Sequence, residues 1–260
     1  MEIYQTIHPE FDGPVATLWL SRPEVHNALD QFMIREIGSF FSDAEKMTEL
    51  RFVIIRGRGK SFCSGADIQW MKNAFSLDTA ENLKECRELS QMFSTIFESS
   101  KIVLAAVHGN VFGGGNVLVA VCDLAYCLES SRFCLSETRI GMAAATITPY
   151  LLQKIKASDL KELIFSAKSI RGEEAVRYGL VNQSFPSMEA MDRSLNELIA
   201  QMLGNGKLAQ TASKRLINKI TFLHMSGEME KIPELLANIR VSPEAREGFN
   251  AFLEKRKPHW

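Results

Sequence analysis

Short apolar runs alternate with longer amphipathic stretches over roughly the first 145 residues of the chain. These runs have the length and the β-branched or aromatic content of strands. They are Val15–Leu20, Phe52–Ile55, Ile102–Val107 and Leu124–Leu128, with Arg132–Leu135 as a shorter companion. Strands separated by helix-length segments are typical of crossover connections, so the pattern predicts a mainly parallel sheet and an α/β fold.

Two of the intervening stretches carry signals for the start of a helix. We predict one helix over Ala28–Met47, with Asn27 as its N-cap. A second helix is predicted after Asp78, because Glu81 lies three residues further on and completes a capping box. Apolar residues repeat at helical spacing along this second helix, at Leu83, Cys86, Leu89, Phe93 and Phe97.

After Pro149 the pattern is almost wholly helical and contains two apolar stripes. The first stripe consists of Met188, Met191, Leu195, Leu198 and Met202. The second consists of Leu208, Ala212, Leu216 and Ile220. Both must be buried, either against the sheet or against other subunits, and the sequence leaves these two possibilities open. We interpret the basic residues that accompany the second stripe as a solvated helix face; they are Lys207, Lys214, Arg215 and Lys219.

Composition narrows the class of protein. The 260 residues include 30 basic and 31 acidic side chains, a balance that argues against a surface devoted to nucleic acid or anionic lipid. The apolar region Ile102–Leu128 is broken by polar residues and glycines, so we expect no membrane-spanning helix and no membrane partner. Five cysteines without a Cys-x-x-Cys pair favour reduced thiols over a zinc site or disulfides, and the start of the chain does not look like a signal peptide. We therefore expect a cytoplasmic location.

Two glycine-rich segments follow predicted strands that we expect to be neighbours. One spans residues 57–67 and the other residues 108–116, which include three consecutive glycines before a helical run. Glycine turns at the carboxyl ends of parallel strands leave backbone N–H groups free and let a ligand approach them closely. Each segment alone is explained by an ordinary tight turn, but together they predict N–H donors that converge on one oxygen atom as it gains negative charge.

A single carboxylate, Glu137, follows the short strand Arg132–Leu135 in an apolar neighbourhood. Isolated glutamates are usually solvated surface residues. Near an apolar pocket, however, the pKa of Glu137 would be raised, and the residue could act as a general acid or base.

These three segments, in this order and spacing, resemble the enoyl-CoA hydratase/isomerase (crotonase) family, and the resemblance runs nearly end to end. It is also carried by residues 22–29 (RPEVHNAL), by Cys122-Asp123, by residues 173–181 (EEAVRYGLV) and by the tail from Glu247 to Lys257. The resemblance implies a spiral of ββα repeats, with a core domain over residues 1–195. Residues 196–260 would form a C-terminal helical region that assembles a homotrimer or a dimer of trimers.

The resemblance also assigns roles to individual residues. The ligand would be an acyl-CoA thioester, whose carbonyl oxygen would be held by the backbone N–H groups of Ala66 and Gly114. Glu137 would be the catalytic acid–base, with no metal and no cofactor beyond the CoA of the substrate. CoA would be bound by residues that match the family's pattern, namely His26, Ala28, Ser64, Asp67, Ile68 and Lys255. The acyl pocket walls would be formed by Trp70, Met71, Phe75 and the Met142–Thr146 segment.

One departure from the family pattern leaves the reaction open. Hydratases of the family with two glutamates carry the first where this chain has Val117, so Glu137 is the lone carboxylate. One carboxylate suits a Δ3,Δ2-enoyl-CoA isomerase, in which it shuttles a proton across the allyl system. Residues 136–150 and the tail instead resemble bacterial methylglutaconyl-CoA hydratases of leucine degradation, which also lack the first glutamate, so hydration is favoured. A third hypothesis is a non-catalytic acyl-CoA or RNA-binding relative, although nucleic acid is an improbable partner because no stacking aromatics accompany the basic residues.

Overall fold

The computed structural model describes residues 4–222 and 232–259, and within them the chain forms nine strands. They are β1 (Ile7–Asp12), β2 (Val15–Leu20), β3 (Phe52–Gly57), β4 (Ile102–Val107), β5 (Asn110–Phe112), β6 (Leu124–Leu128), β7 (Arg132–Cys134), β8 (Ser169–Arg171) and β9 (Gln183–Phe185).

The described residues also form eleven α-helices. They are α1 (Gln31–Lys46), α2 (Ile68–Ala74), α3 (Thr79–Glu98), α4 (Gly114–Val121), α5 (Thr148–Leu151), α6 (Ala157–Ser166), α7 (Gly172–Tyr178), α8 (Met188–Leu203), α9 (Lys207–Phe222), α10 (Ile232–Arg240) and α11 (Pro243–Leu253). Short 3₁₀ helices span Pro23–Val25 and Glu137–Ile140.

The strands form a six-stranded sheet in the order β1-β2-β3-β4-β6-β9 and a small sheet in the order β5-β7-β8. Every pair in the large sheet is parallel except β1 with β2. The predicted mainly parallel sheet and α/β class are therefore confirmed. Because β3 and β4 are neighbours, the glycine-rich segments that follow them leave the same edge of the sheet.

The first helix begins later than predicted. Its N-cap is Asp30, whose carboxylate accepts the Met33 N–H at 2.8 Å. Asn27 lies in the left-handed region at φ 55° and donates from its side chain to Arg58 O and Ser61 O. Leu29 cannot be helical, because it bridges Ala66 in a parallel β-bridge. By contrast, the predicted capping box at Asp78 and Glu81 is confirmed.

The region after Pro149 is less uniformly helical than predicted, because it contains β8 and β9. Both are only three residues long, and β9 completes the large sheet by pairing in parallel with β6. So short a run carries too little periodicity to identify a strand. Helix α8 continues without a break through residue 195, where we expect the core domain to end.

Apolar residues of α8 cover one face of the large sheet. Met191, Leu195 and Ile199 pack with Phe52 and Leu104, so the first predicted stripe lies against the sheet. The second stripe is different: on α9 the exposed fraction is 84% for Leu208, 59% for Leu216 and 56% for Ile220. The sequence left open whether this stripe is buried against the sheet or against other subunits. Its exposure in the single chain excludes burial against the sheet.

Lys214 on α9 contradicts the interpretation of a solvated basic face. Its side chain is buried, and Nζ lies 2.8 Å from Asp123 Oδ2 and from Lys101 O. Lys207 donates to the carbonyl oxygen of Thr48. Two of the four basic residues therefore fasten α9 to the rest of the chain, which periodicity alone cannot reveal because the partners are distant in sequence.

Helix α11 packs closely on the 3₁₀ helix that begins with Glu137. A Cβ atom on Gly248 would lie 2.4 Å from the carbonyl carbon of Ile140, and one on Gly141 would lie 2.6 Å from Glu244 O. Side chains are absent at both points of contact, so the two backbones can touch. None of the helices in residues 4–222 and 232–259 combines the length and apolar character needed to cross a bilayer.

Candidate functional site

The two glycine-rich segments run side by side. Phe62 N–H donates to His108 O at 2.9 Å, and Phe112 N–H donates to Cys63 O at 3.0 Å. A parallel β-bridge joins Cys63 to Val111 between these bonds. The two segments thereby extend the pairing of β3 and β4 beyond the edge of the sheet, which brings Ala66 and Gly114 into one region.

Gly65 makes the closest approach between the segments. It has φ +93°, and a Cβ atom there would lie 2.8 Å from Phe112 O and 3.4 Å from Gly114 N. Only glycine tolerates both this conformation and this contact. Within the described part of the chain, no hydrogen bond is formed by the N–H of Ala66, which follows Gly65, or by the N–H of Gly114. Two neighbouring backbone donors are therefore free.

Glu137 lies beside these donors because β7 delivers it there. Gly113 N–H donates to Cys134 O at 3.0 Å, which ties the end of β7 to the glycine turn. A Cβ atom on Gly113 would lie 3.2 Å from Glu137 Oε1, so the carboxylate rests against the turn. Its Oε2 atom is buried and has no protein partner in the described residues. Burial raises the pKa of Glu137 to about 7, so the carboxyl group can gain and lose a proton near neutrality.

Asn116 was missed by sequence reasoning, although it holds this arrangement together. Its buried side-chain Nδ2 contacts three backbone oxygens: Val111 O at 3.2 Å, Gly113 O at 3.2 Å and Cys134 O at 3.0 Å. The amide thus links the glycine turn to the strand that leads to Glu137. The next residue, Val117, stands where the sequence pattern of two-glutamate hydratases has a carboxylate. Its side chain is 1% exposed and belongs to the main hydrophobic core.

The predicted CoA-binding residues before α2 cluster around one turn. His26 is exposed, with φ 55°, and its Nδ1 is hydrogen-bonded to Ser61 Oγ at 3.0 Å. Ser64 N–H donates to His26 O at 3.0 Å, and Ser64 Oγ donates to Val25 O at 3.3 Å. Ala28 is buried beside them. The structure therefore brings His26, Ala28 and Ser64 together next to Ala66.

The other predicted binding residues are placed differently. Asp67 is buried: its Oδ1 caps α2 by accepting the N–H groups of Gln69 and Trp70, and its Oδ2 lies 3.0 Å from Arg22 Nη2. Both of its carboxylate oxygens are thus engaged by protein. Ile68 and Lys255 are exposed, and Lys255 follows α11 with φ 53°.

Arg22 is a second residue that sequence reasoning did not assign. Its guanidinium bridges Asp30 and Asp67, with Nη2 3.1 Å and 3.0 Å from their carboxylates, while Nη1 donates to Ala28 O at 2.6 Å. It therefore joins the turn of residues 22–29 to the start of α2. Only the Arg-Pro pair at the head of this turn could have drawn attention to it.

The chemical capacity of the site follows from these placements. Two free backbone N–H groups can stabilise negative charge that develops on an oxygen atom, and a carboxyl group with a pKa near neutrality can move a proton beside them. Together they suit reactions that pass through an enolate, in which a proton is transferred at a carbon next to a carbonyl.

Comparison with known proteins agrees with this geometry. The family model described as enoyl-CoA hydratase/isomerase matches residues 10–260. The short-chain-enoyl-CoA hydratase of Clostridium acetobutylicum is 30% identical over 250 residues, covering 95% of this chain and 94% of the relative. A peroxisomal Δ(3,5)-Δ(2,4)-dienoyl-CoA isomerase of Arabidopsis thaliana is 26% identical over 273 residues, covering 100% and 98%.

Solved structures give the same answer for the fold. The crystal structure of an enoyl-CoA hydratase from Mycobacterium avium superimposes with a TM-score of 0.88 at 30% identity, covering 99% of this chain and 100% of that one. The crotonase-like fold predicted from the resemblance is thereby confirmed. With a family model that spans nearly all of its length, the chain belongs to the enoyl-CoA hydratase/isomerase, or crotonase, family of enzymes.

Proposed function

We propose that the protein adds water across the α,β double bond of an enoyl-CoA thioester. The observation that carries the proposal is the buried, unpartnered Oε2 of Glu137 beside the free N–H groups of Ala66 and Gly114. The two N–H groups would hold the thioester oxygen and accept the charge of the enolate. The Glu137 carboxylate would stand beside the double bond.

Each step then uses a group of this chain. Glu137, ionised, takes a proton from a water molecule as the water oxygen bonds to the β-carbon. The electron pair of the double bond then forms a double bond between the α-carbon and the carbonyl carbon, and the carbonyl electron pair moves onto the thioester oxygen, where the N–H groups of Ala66 and Gly114 stabilise the negative charge. The protonated Glu137 then returns its proton to the α-carbon. A pKa of about 7 lets Glu137 both take the proton from water and return it to the α-carbon. One carboxylate is therefore enough for the reaction, although Val117 replaces the other glutamate of two-glutamate hydratases.

Replacing Glu137 tests the proposal. Glu137→Gln keeps the shape of the side chain and removes the base, so turnover of 2-enoyl-CoA should fall about 10²- to 10⁴-fold. Glu129→Gln, at an exposed position just after β6, is the control and should keep wild-type turnover. Unchanged turnover in Glu137→Gln would show that another group performs the chemistry.

A Δ3,Δ2-enoyl-CoA isomerase is the second candidate. The position at which two-glutamate hydratases carry their first glutamate is Val117 in this chain, so Glu137 has no second carboxylate there to work with. The discriminating experiment incubates the protein separately with a 3-enoyl-CoA and a 2-enoyl-CoA. Hydration predicts a 3-hydroxyacyl product from the 2-enoyl thioester. Accumulation of the conjugated thioester from the first substrate, with no hydroxyacyl product from the second, would favour isomerisation.

The binding roles are part of the same proposal. His26, Ala28, Ser64 and Ile68 line the path of the pantetheine and adenine, while Asp67 contributes by shaping the turn through its bond to Arg22. Lys255 would contact a CoA phosphate. The tail that carries it is held in place because the adjacent Arg256 donates two hydrogen bonds to Glu247, at 2.6 Å and 3.0 Å. Methylglutaconyl-CoA is the specific substrate that we propose, and no metal or redox cofactor is required by the reaction.

The assembly and location are proposed on related grounds. The exposed apolar residues Leu208, Leu216 and Ile220 of α9 suit burial in a homotrimer or a dimer of trimers, formed by the region of residues 196–260. We propose a cytoplasmic location because the five cysteines are all unpaired and buried, and thiols stay reduced in the cytosol. A non-catalytic RNA-binding role is disfavoured by the ion pair of Lys214, which removes its charge from any surface.

A further inference from the structure

Two hydrogen bonds flank the N–H of Ala66, one of the two free donors of the candidate site. Leu29 N–H donates to Gly65 O at 2.7 Å, and Asp67 N–H donates to Leu29 O at 2.8 Å, which forms the parallel bridge between Leu29 and Ala66. In a parallel ladder, the residue that lies between two such bonds points its own N–H and C=O away from the partner segment. The bridge therefore turns the Ala66 N–H away from Leu29 and leaves it for a ligand.

Leu29 also contacts the turn that carries the second donor. A Cβ atom on Gly114 would lie 3.3 Å from Leu29 Cδ1 and 3.9 Å from Gly65 Cα. Leu29 is itself fully buried in the main hydrophobic core. Its position therefore determines how the backbones of Ala66 and Gly114 are spaced, and a group that holds Leu29 in place holds both donors.

The guanidinium of Arg22 joins the two segments of this bridge. Nη1 donates to Ala28 O at 2.6 Å, and Nη2 lies 3.1 Å from Asp30 Oδ2, so the group contacts both chain neighbours of Leu29. The same Nη2 lies 3.0 Å from Oδ2 of Asp67, the residue that follows the free N–H. One planar group thus holds three points around the bridge.

The two carboxylates are fixed by their own helices. Asp30 Oδ1 caps α1 and Asp67 Oδ1 caps α2, while the Oδ2 atom of each bonds to the guanidinium. The three side chains are mostly buried, at 18% exposure for Asp30, 12% for Asp67 and 17% for Arg22. Without the cation, the two negative charges would repel each other where solvent screens them weakly. Repulsion would separate the starts of α1 and α2 and open the bridge beside Ala66.

Arg22 is anchored at its base as well. Its N–H donates to Asn27 Oδ1 at 2.9 Å, and Asn27 N–H donates back to Arg22 O at 2.8 Å. Asn27 Nδ2 in turn donates to Ser61 O at 2.8 Å, in the first glycine-rich segment. The base of the guanidinium is therefore tied to the same segment that leads to Ala66.

We propose that Arg22 is a positioning residue for the reaction: its guanidinium fixes the Ala66 N–H, and through Leu29 the Gly114 N–H, at the spacing that the thioester oxygen requires. This inference rests on the proposed function, in which these two donors hold that oxygen. Backbone donors stabilise an oxyanion only when they already lie within hydrogen-bond distance of it. Arg22 acts on the reaction through the backbone that it holds.

The carbonyl stretch of the bound thioester reports on the two donors directly. A hydrogen bond to the carbonyl oxygen weakens the C=O bond, so binding should lower the stretching frequency. We measure it by infrared difference spectroscopy on but-2-enoyl-CoA with a heavy carbon isotope at the carbonyl, at saturation and in a Glu137→Gln background that prevents turnover. Adding Arg22→Met should abolish most of the lowering. With Glu137 intact, Arg22→Met should reduce kcat about 10²-fold.

Arg56→Met is the matched control. The Arg56 side chain is 13% exposed and pairs with Asp192 on the face of the sheet that α8 covers. Removing either arginine should lower the midpoint of denaturation, because each breaks a mostly buried ion pair. Only Arg22→Met should change the carbonyl frequency and kcat.

Arg22→Lys is a second variant that keeps a cation between the two carboxylates and therefore preserves the fold. An ammonium on a shorter stem lacks the fork that reaches Ala28 O and both carboxylates together. We expect kcat to fall about tenfold and part of the frequency lowering to be lost. If Arg22→Met fails to fold, Arg22→Lys decides the matter.

The outcomes separate this inference from the proposed function. A carbonyl frequency that is unchanged in the deciding Arg22 variant would overturn the positioning role and leave hydration intact. Equal losses of kcat in Arg22→Met and Arg56→Met would also overturn it, because lowered stability would then account for both. If the thioester bound to Glu137→Gln shows no lowered frequency with Arg22 in place, the assignment of Ala66 and Gly114 in the proposed function is itself wrong.

Discussion

The carboxylate of Glu137 rests against the backbone of Gly113, at the turn that also carries the free N–H of Gly114. A Cβ atom on Gly113 would lie 3.2 Å from Glu137 Oε1, and Gly113 has φ +46°. The glycine therefore sets how closely the proton-transferring group approaches the backbone donors. A side chain here would both strain the turn and push the carboxylate away.

We accordingly predict that Gly113→Ala lowers turnover of enoyl-CoA about 10²-fold, because a shift of about 1 Å in a reacting group is enough for a loss of that size. Gly38→Ala is the matched control: it lies within α1 with no atom within 4 Å of the added Cβ, and it should leave kcat unchanged. Steady-state kinetics on both variants provides the measurement. Equal kcat values for the two would mean that Glu137 is not positioned by this turn.

The raised pKa of Glu137 predicts the pH dependence of activity. As a base the residue must be ionised, so kcat/KM should rise as the pH passes through about 7 and then level off. A profile with its acid limb near the ordinary glutamate value would contradict the burial of this group. The profile is measured with substrate well below KM, so that it reports the free enzyme.

The same pKa predicts a stability effect of defined sign. Because the folded-state pKa of about 7 lies above the unfolded-state value, the native state holds the proton more tightly. This contribution is fully present below about pH 4.5 and is lost as the pH rises towards 7, an effect on the order of 3 kcal/mol. Urea denaturation across this range should show a smaller pH-dependent loss in Glu137→Gln than in the wild type. Identical pH dependence in the two proteins would contradict the prediction.

Asn116 is predicted to act as a donor through its side chain. Asn116→Asp places a carboxylate against the carbonyl oxygens of Val111, Gly113 and Cys134, so it should be more destabilising than Asn116→Ala. We expect the alanine variant to lose about 1–3 kcal/mol of unfolding free energy and the aspartate variant more. Chemical denaturation measures both. If Asn116→Ala were destabilised more than Asn116→Asp, the three carbonyl oxygens would not be the reason that an amide side chain is needed at this position.

The buried ion pair of α9 gives a prediction about stability alone. Lys214→Met removes the buried ammonium group that pairs with the half-buried Asp123 carboxylate, which keeps only the hydrogen bond from the Val103 N–H, and it should cost about 3 kcal/mol. Lys219→Met, at an exposed position of the same helix, should change the unfolding free energy by less than about 0.5 kcal/mol. Similar denaturation midpoints for the two variants would indicate that Lys214 is solvated after all.

Features carried by local signals could be predicted from the sequence. The strands β2, β3, β4 and β6 were identified from their apolar runs, and the capping box at Asp78 from two side chains. Motif order identified the family, and with it the candidate roles of Glu137, Ala66 and Gly114. The short strands β8 and β9 escaped prediction because three residues carry almost no periodicity.

By itself, the sequence determined the alternation of strands and helices, the parallel character of the sheet and the presence of two glycine-rich segments followed by one carboxylate, because these follow from side-chain periodicity and backbone freedom along the chain. Only the tertiary structure decided which groups meet. It placed Arg240 over Trp70, buried Lys214 against Asp123 and joined Asn116 to both the glycine turn and β7. These contacts join residues that lie far apart in sequence. Burial, which also depends on the tertiary structure, raises the pKa of Glu137 and leaves the indole N–H of Trp70 without a hydrogen-bond partner in the described residues.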